Sequence, residues 1–186
     1  MAMAMVRKRL KVSGAGRGLG EAAARVFAAN ERMNQVVIEN LDSRAWTAKA
    51  AGDTRTIAAI FTHVHNVRVK WVRLTTPGVK LPAQLKKAGC TPKMALAGLA
   101  ESARRCEEML REVLGAEVGT RKFVRDGWAN PWTAGVEMLS YMVMHEGHHR
   151  GQVCLLAHQL GFPLAKETNY GIWNWEKIWR ENGWKL

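Results

Sequence analysis

The chain has little of what marks secreted or membrane proteins. Its 186 residues contain only three cysteines, with no paired spacing, so a disulfide framework is disfavoured and a reducing cytoplasm is the expected location. No apolar run approaches the roughly 18 residues that cross a bilayer, so we expect no membrane partner. The basic start lacks the apolar stretch of a signal peptide. Cys90, Cys106 and Cys154 are expected to be small buried or half-buried residues.

Acidic residues are absent from the first twenty positions, although the whole chain has a net charge of +12. Such a charge attracts nucleic acid, but no zinc-finger spacing, aromatic RNA-binding signature or leucine-zipper register is present, so a nucleic-acid partner is not expected. We interpret residues 1–20 as a flexible, basic, glycine-containing leader and residues 21–186 as the folded domain.

The glycine pattern at residues 13–20 resembles a dinucleotide-binding fingerprint, but its surroundings do not fit one. The strand that should precede it would consist of only three residues, Leu10, Lys11 and Val12, one of them basic. No βαβ unit follows it. Tyr141 and Tyr170 also lack the lysine four residues on that a short-chain dehydrogenase needs. The sequence therefore predicts no bound dinucleotide.

Strand-like alternation is missing, whereas helical spacing of apolar residues recurs along the chain. It predicts an all-α protein, a four-helix bundle with a short C-terminal helix. Asp53 or Thr54 is the expected N-cap of the second helix and Thr91 that of the third. The connection over 115–131 either crosses the bundle or lines a pocket. The expected helices span Glu21–Leu41, Thr56–Thr75, Pro92–Leu114, Pro131 or Trp132 to Leu160, and Ile172–Asn182.

Two histidines of the fourth helix, His145 and His149, are four residues apart and so lie on one face of the helix. A helical wheel places both at the middle of its apolar, core-facing stripe, whereas His148 lies to the side and His158 on the opposite face. Buried imidazoles need polar partners, and a shared metal ion provides one. Two core histidines with hydrogen-bonded neighbours are the alternative.

The second helix offers a third ligand. Its apolar seam passes through Ile60 and Val64, and the wheel places His63 near that seam but His65 toward solvent. Three imidazoles with a position left open are typical of a reactive metal site. Zn²⁺ is the expected ion, and Ni²⁺, Fe²⁺ and Mn²⁺ are alternatives. Arg150 and Gln152 are expected to position the ligands or to satisfy nearby backbone.

These residues resemble the DinB-like superfamily of metal-binding four-helix bundles. Residues 145–152, His-Glu-Gly-His-His-Arg-Gly-Gln, look like its His-x-x-x-His-Arg-Gly-Gln signature, and the segment 56–64 with Trp71 beyond it looks like its second helix. The resemblance runs from about residue 22 to the end and implies the ligands His63, His145 and His149. Its characterised relatives include bacillithiol S-transferases and mycothiol-dependent isomerases, and they are often homodimers.

The leading functional hypothesis is a metal-dependent S-transferase that joins a low-molecular-weight thiol to a small-molecule substrate, because a divalent cation lowers the pKa of a thiol. One alternative is a metal-dependent hydrolase, since His145-Glu146-x-x-His149 matches the zinc peptidase motif, with Glu167 or Glu176 as another candidate ligand. The other is a non-catalytic binding module stabilised by its metal. Trp173, Trp175 and Trp179 are expected to pack, in the chain or across a homodimer, rather than to cage a substrate.

Overall fold

The computed structural model describes residues 15–52, 55–115, 122–123, 132–133 and 136–184. The all-α prediction is confirmed, since each of the two strands in these residues has only two residues. The elements are α1 (Ala15–Asn40), α2 (Ile57–Thr75), α3 (Pro92–Gly115), β1 (Lys122–Phe123), β2 (Trp132–Thr133), α4 (Val136–Gln159), α5 (Lys166–Gly171) and α6 (Trp175–Glu181).

Threonine side chains cap the second and third helices. At α2 the Thr56 hydroxyl accepts a hydrogen bond from the Ala59 amide at 3.2 Å, so neither Asp53 nor Thr54, which lie outside the described residues, is needed as the cap. At α3 the Thr91 hydroxyl accepts from the Met94 amide at 3.2 Å, as predicted. A hydroxyl that accepts the third amide of a helix satisfies one of its free donors.

The first helix begins at Ala15, before the start predicted at Glu21. Gly20, assigned to the leader, is buried against α3, and a Cβ there would lie 2.9 Å from the Arg111 carbonyl oxygen. The missing side chain lets the two helix backbones approach closely, which extends α1 into the glycine-rich segment. The rest of the leader, residues 1–14, lies outside the described residues.

The fourth helix starts later than expected and the tail is divided. Trp132, one of the two predicted starts, instead pairs with Phe123 in the antiparallel β1–β2 ladder, while Pro131 lies outside the described residues. At the other end, Gly161 follows the helix and has a positive φ of 82°, which glycine adopts at low cost. The predicted tail helix is present as α6, which lies within the expected range, and the additional short helix α5 precedes it.

The four long helices form a ring in which α1 and α2 each pack on both α3 and α4. The N-terminal halves of α1 and α4 share one apolar cluster with the C-terminal halves of α2 and α3. Thus α1 and α4 run one way and α2 and α3 the other. Because α2 and α3 are parallel, the chain between them must return along the bundle. The strands β1 and β2 lie against α2 and α4 respectively.

Two apolar clusters, one in each half of the bundle, form the core. All three cysteines are free and buried or half-buried, as predicted. The tail anchors itself through Ile178, which is 1% exposed. Trp173 is 70% exposed, so its indole does not pack in the chain's core, whereas Trp179 meets the rings of Trp175 and Trp184 edge to face. That the tail indoles pack across a homodimer stays a prediction. None of the described helices is long and apolar enough to span a membrane.

Candidate metal centre

The three histidines predicted as ligands lie together between α2 and α4. One potential donor atom from each of His63, His145 and His149 lies within 4.8 Å of the others. Their ring centroids are 4.5 to 5.4 Å apart. His149 is buried, whereas His63 and His145 are half-buried. The trio can therefore hold one metal ion, and within the described part of the chain no further histidine, cysteine or carboxylate joins it.

Helix geometry explains why these histidines meet and two others do not. His145 and His149 are one turn apart on α4 and face α2, which presents His63. His148 and His158 are exposed, as the wheel predicts. Because the trio comes from two helices, the distances between its rings depend on how α2 and α4 are aligned.

The prediction that His65 faces solvent is wrong. This residue is only 1% exposed, its Nε2 lies 2.9 Å from the Ala83 carbonyl oxygen, and its Nδ1 lies 2.8 Å from that of Gly98. The return connection from α2 to the parallel α3 covers this face, and Asn66 fastens it through two hydrogen bonds with the Leu85 backbone. A wheel drawn for one helix contains no information about such a crossing segment.

Gln152 orients the buried His149. Its Oε1 lies 2.7 Å from His149 Nδ1, so Nδ1 carries the proton and donates it, and the lone pair of Nε2 is left for a metal. Burial lowers the pKa of His149, and the electrostatic effects of His148 and Arg55 lower it further, against the raising effect of the Gln152 hydrogen bond. A neutral imidazole of this tautomer has the chemistry of a metal ligand.

An aromatic wall borders the trio toward the N-terminal end of α4. The His145 ring centroid is 5.4 Å from that of Trp71 and 6.0 Å from that of Tyr141. Trp71 is buried and meets the half-buried Tyr141 edge to face at 5.8 Å. These rings hold His145 in place and exclude water from one side of the site.

Beneath the trio, at mid-bundle, Arg68 joins all four long helices. Its Nε and Nη2 donate to the two carboxylate oxygens of Glu146 on α4 at 2.7 and 2.5 Å, a bidentate pair. Its Nη1 donates to the Leu99 carbonyl on α3 at 2.9 Å and lies 2.6 Å from Glu31 Oε2 on α1. Arg68 and Glu146 are fully buried, so the pair is closed to solvent.

Two asparagines of α1 complete this network. Asn30 and Asn34 donate to Glu146 Oε2 at 2.6 and 2.8 Å, and their side-chain oxygens accept from Arg150. Burial would raise the pKa of Glu146, but Arg68 and these donors hold it below its ordinary value. Burial raises the pKa of Glu31, which shares the same guanidinium. We call these six residues, Asn30, Glu31, Asn34, Arg68, Glu146 and Arg150, the polar core.

The polar core was not predicted from the sequence, although signals for it exist. Arg68 lies in the apolar seam of α2, where a charge needs an opposite charge nearby. Asn30 and Asn34 are an i, i+4 pair on α1. Arg150 serves this network rather than the histidines, whereas Gln152 contacts a ligand as expected.

The peptidase hypothesis is not supported by the position of Glu146. A general base must reach a water molecule at the metal. Glu146 is 0% exposed, and its oxygens are occupied by Arg68 and the two asparagines. The match to the zinc peptidase motif is therefore a coincidence of spacing.

Comparison with known proteins agrees with this architecture. The model of the DinB family matches residues 17–181, which include all four long helices and the histidine trio. None of the curated proteins matches the sequence.

Proposed function

The chain belongs to the DinB family, and from that membership and its histidine trio we propose that it is a metal-dependent thiol S-transferase. In this proposal His63, His145 and His149 bind one divalent ion, with Zn²⁺ expected and Ni²⁺, Fe²⁺ or Mn²⁺ as alternatives. The supporting observation is that no fourth histidine, cysteine, aspartate or glutamate of the described residues joins the trio. A site that only stabilised the fold would be closed by a fourth protein ligand.

The donor set fits such an ion. The trio consists of imidazoles alone, and Gln152 fixes the His149 tautomer that leaves Nε2 for the metal. Zinc sites with three protein ligands keep the remaining position for a water or a substrate. In metal sites, a hydrogen bond to the other nitrogen of a ligating histidine typically fixes the orientation of its ring.

A divalent ion held by His63, His145 and His149 would lower the pKa of a nearby thiol, so that the thiolate would be available at neutral pH. The thiol proton passes to solvent. The sulfur then attacks an electrophilic carbon, and the sulfur–carbon bond forms as the bond to the leaving group breaks. The leaving group departs with its electron pair, so the transfer consumes no oxidant or reductant.

The chain's own cysteines do not supply this thiol. Burial raises the pKa of Cys106 and Cys154, which keeps both in the unreactive protonated form. Cys90 is only 3% exposed. It packs in the apolar cluster of the other half of the bundle, so its thiol is not accessible to a substrate. The nucleophile is therefore expected from a separate small molecule, and the free cysteines fit a reducing cytoplasm.

Conjugation of a fluorogenic electrophile tests the proposal. Metal-loaded protein is incubated with monochlorobimane and several cellular thiols in turn, where the chloride leaves as the carbon–sulfur bond forms. We expect at least one thiol to react faster than in buffer. His149→Ala should return the rate to that of buffer, because a ligand is lost.

The control is His158→Ala, which removes an exposed histidine of the same helix outside the trio. It should retain the wild-type rate. Absence of turnover with every thiol, or equal turnover by His149→Ala, would show that the chain is not this transferase.

A further inference from the structure

A cavity of about 530 Å³ opens beside the metal centre. His149 and Gln152 form part of its wall, so a molecule within it lies against one of the three histidines of the trio. Arg55, just before the N-cap of α2, also lines it. The other lining residues are Ile60, His148, Leu155, Leu156 and Gln159.

The charge of this cavity is one-sided. Arg55 is the only arginine or lysine among its lining residues, and no described carboxylate lines it. No described carboxylate lies within ion-pair distance of Arg55 either. The cation is exposed and thus able to bind a solute.

A second cavity, of about 470 Å³ between α1 and α3, has the opposite character. Glu31, Glu107 and Glu181 line it, and Arg32 on its wall is already paired with Glu181 at 2.6 Å. Of these two cavities, only the one beside the histidines has a cation with no opposite charge among the described residues that line it. This imbalance is not a general consequence of the basic composition.

We propose that this cavity binds the carboxylate of the thiol substrate through Arg55, which makes the enzyme selective for anionic low-molecular-weight thiols. Arg55 offers a planar set of N–H donors that matches a carboxylate. Ile60 and Leu156, both buried, supply an apolar floor for the carbon skeleton. That the bound molecule is a thiol rests on the proposed function, whereas the contact of a carboxylate with Arg55 depends only on the cavity.

Two thiols that differ only by a carboxylate test this subsite. N-acetylcysteine and N-acetylcysteamine are titrated by calorimetry into the metal-loaded protein, together with N-acetylalanine, which keeps the carboxylate but has no sulfur. The wild type should bind N-acetylcysteine roughly tenfold more tightly than N-acetylcysteamine, the value of one charged contact. Arg55→Gln should abolish this preference without weakening N-acetylcysteamine.

Arg73→Gln is the matched control, because Arg73 is an exposed cation in the last turn of the same helix and lines neither cavity. It should keep the preference. Equal affinity of the wild type for both thiols, or a preference that survives Arg55→Gln, would overturn the subsite. N-acetylalanine separates the two proposals, since its Arg55-dependent binding would persist in a chain that failed the conjugation assay.

Discussion

The histidine trio and the polar core both include residues of α2 and α4, yet they are opposite in character. His145 and His149 alternate along α4 with Glu146 and Arg150, so neighbouring residues face two different environments. In the polar core the guanidinium of Arg68 contacts oxygen atoms from the three other long helices, and it is closed to solvent. The trio is joined by no further histidine, cysteine or carboxylate of the described residues. The difference separates polar residues that hold the bundle from those available for chemistry.

The largest expected effect comes from breaking the polar core. Arg68→Met leaves two buried carboxylates without their cation and should lower the free energy of unfolding by about 3 to 5 kcal/mol. Urea unfolding measures it. Arg73→Met, at an exposed position of α2, should change it by less than about 0.5 kcal/mol. A loss below 1 kcal/mol in Arg68→Met would mean that the network does not hold the helices together.

Substitution of the two histidines of α2, one at a time, separates an effect on stability from an effect on metal binding. His65→Leu removes hydrogen bonds to the connection that covers it and leaves the Ala83 carbonyl without this donor. We expect a loss of about 2 kcal/mol in stability and an unchanged metal content. His63→Ala should show the reverse, with little loss of stability in the metal-free protein. Metal loss in His65→Leu would contradict the division between structural and ligand histidines.

Removal of the hydrogen bond that orients a ligand should have a smaller effect. Gln152→Ala frees the His149 ring to rotate and change tautomer, and should weaken metal affinity about 10- to 100-fold in a chelator competition. Because Gln152 is exposed, the metal-free variant should unfold at the wild-type denaturant concentration. Gln159→Ala, also exposed on α4, is the control. Equal metal affinities of the wild type, Gln152→Ala and Gln159→Ala would show that Gln152 does not orient His149 for metal binding.

The smallest expected effect is that of metal removal on the fold itself. Two apolar clusters and the polar core hold the bundle without help from the trio. After chelation the far-UV signal should stay helical and the thermal transition cooperative. Loss of the cooperative transition would favour the non-catalytic module whose metal stabilises the fold.

What could be predicted from the sequence was local. Spacing alone identified the four long helices, and a wheel for α4 placed His145 and His149 on one face and excluded His148 and His158. The errors came from contacts between distant segments. His65 is covered by the connection from α2 to α3, and Arg68 meets partners 37 residues before it and 78 residues after it in sequence. No periodicity within one helix carries that information.

Metal analysis of protein purified without a metal-affinity column tests the central claim most directly. The wild type and the His65→Leu variant should each contain close to one divalent ion per chain, and His63→Ala should contain almost none. An unchanged metal content in His63→Ala, or no metal in the wild type even after incubation with Zn²⁺, would contradict the assignment of His63, His145 and His149 as the ligands.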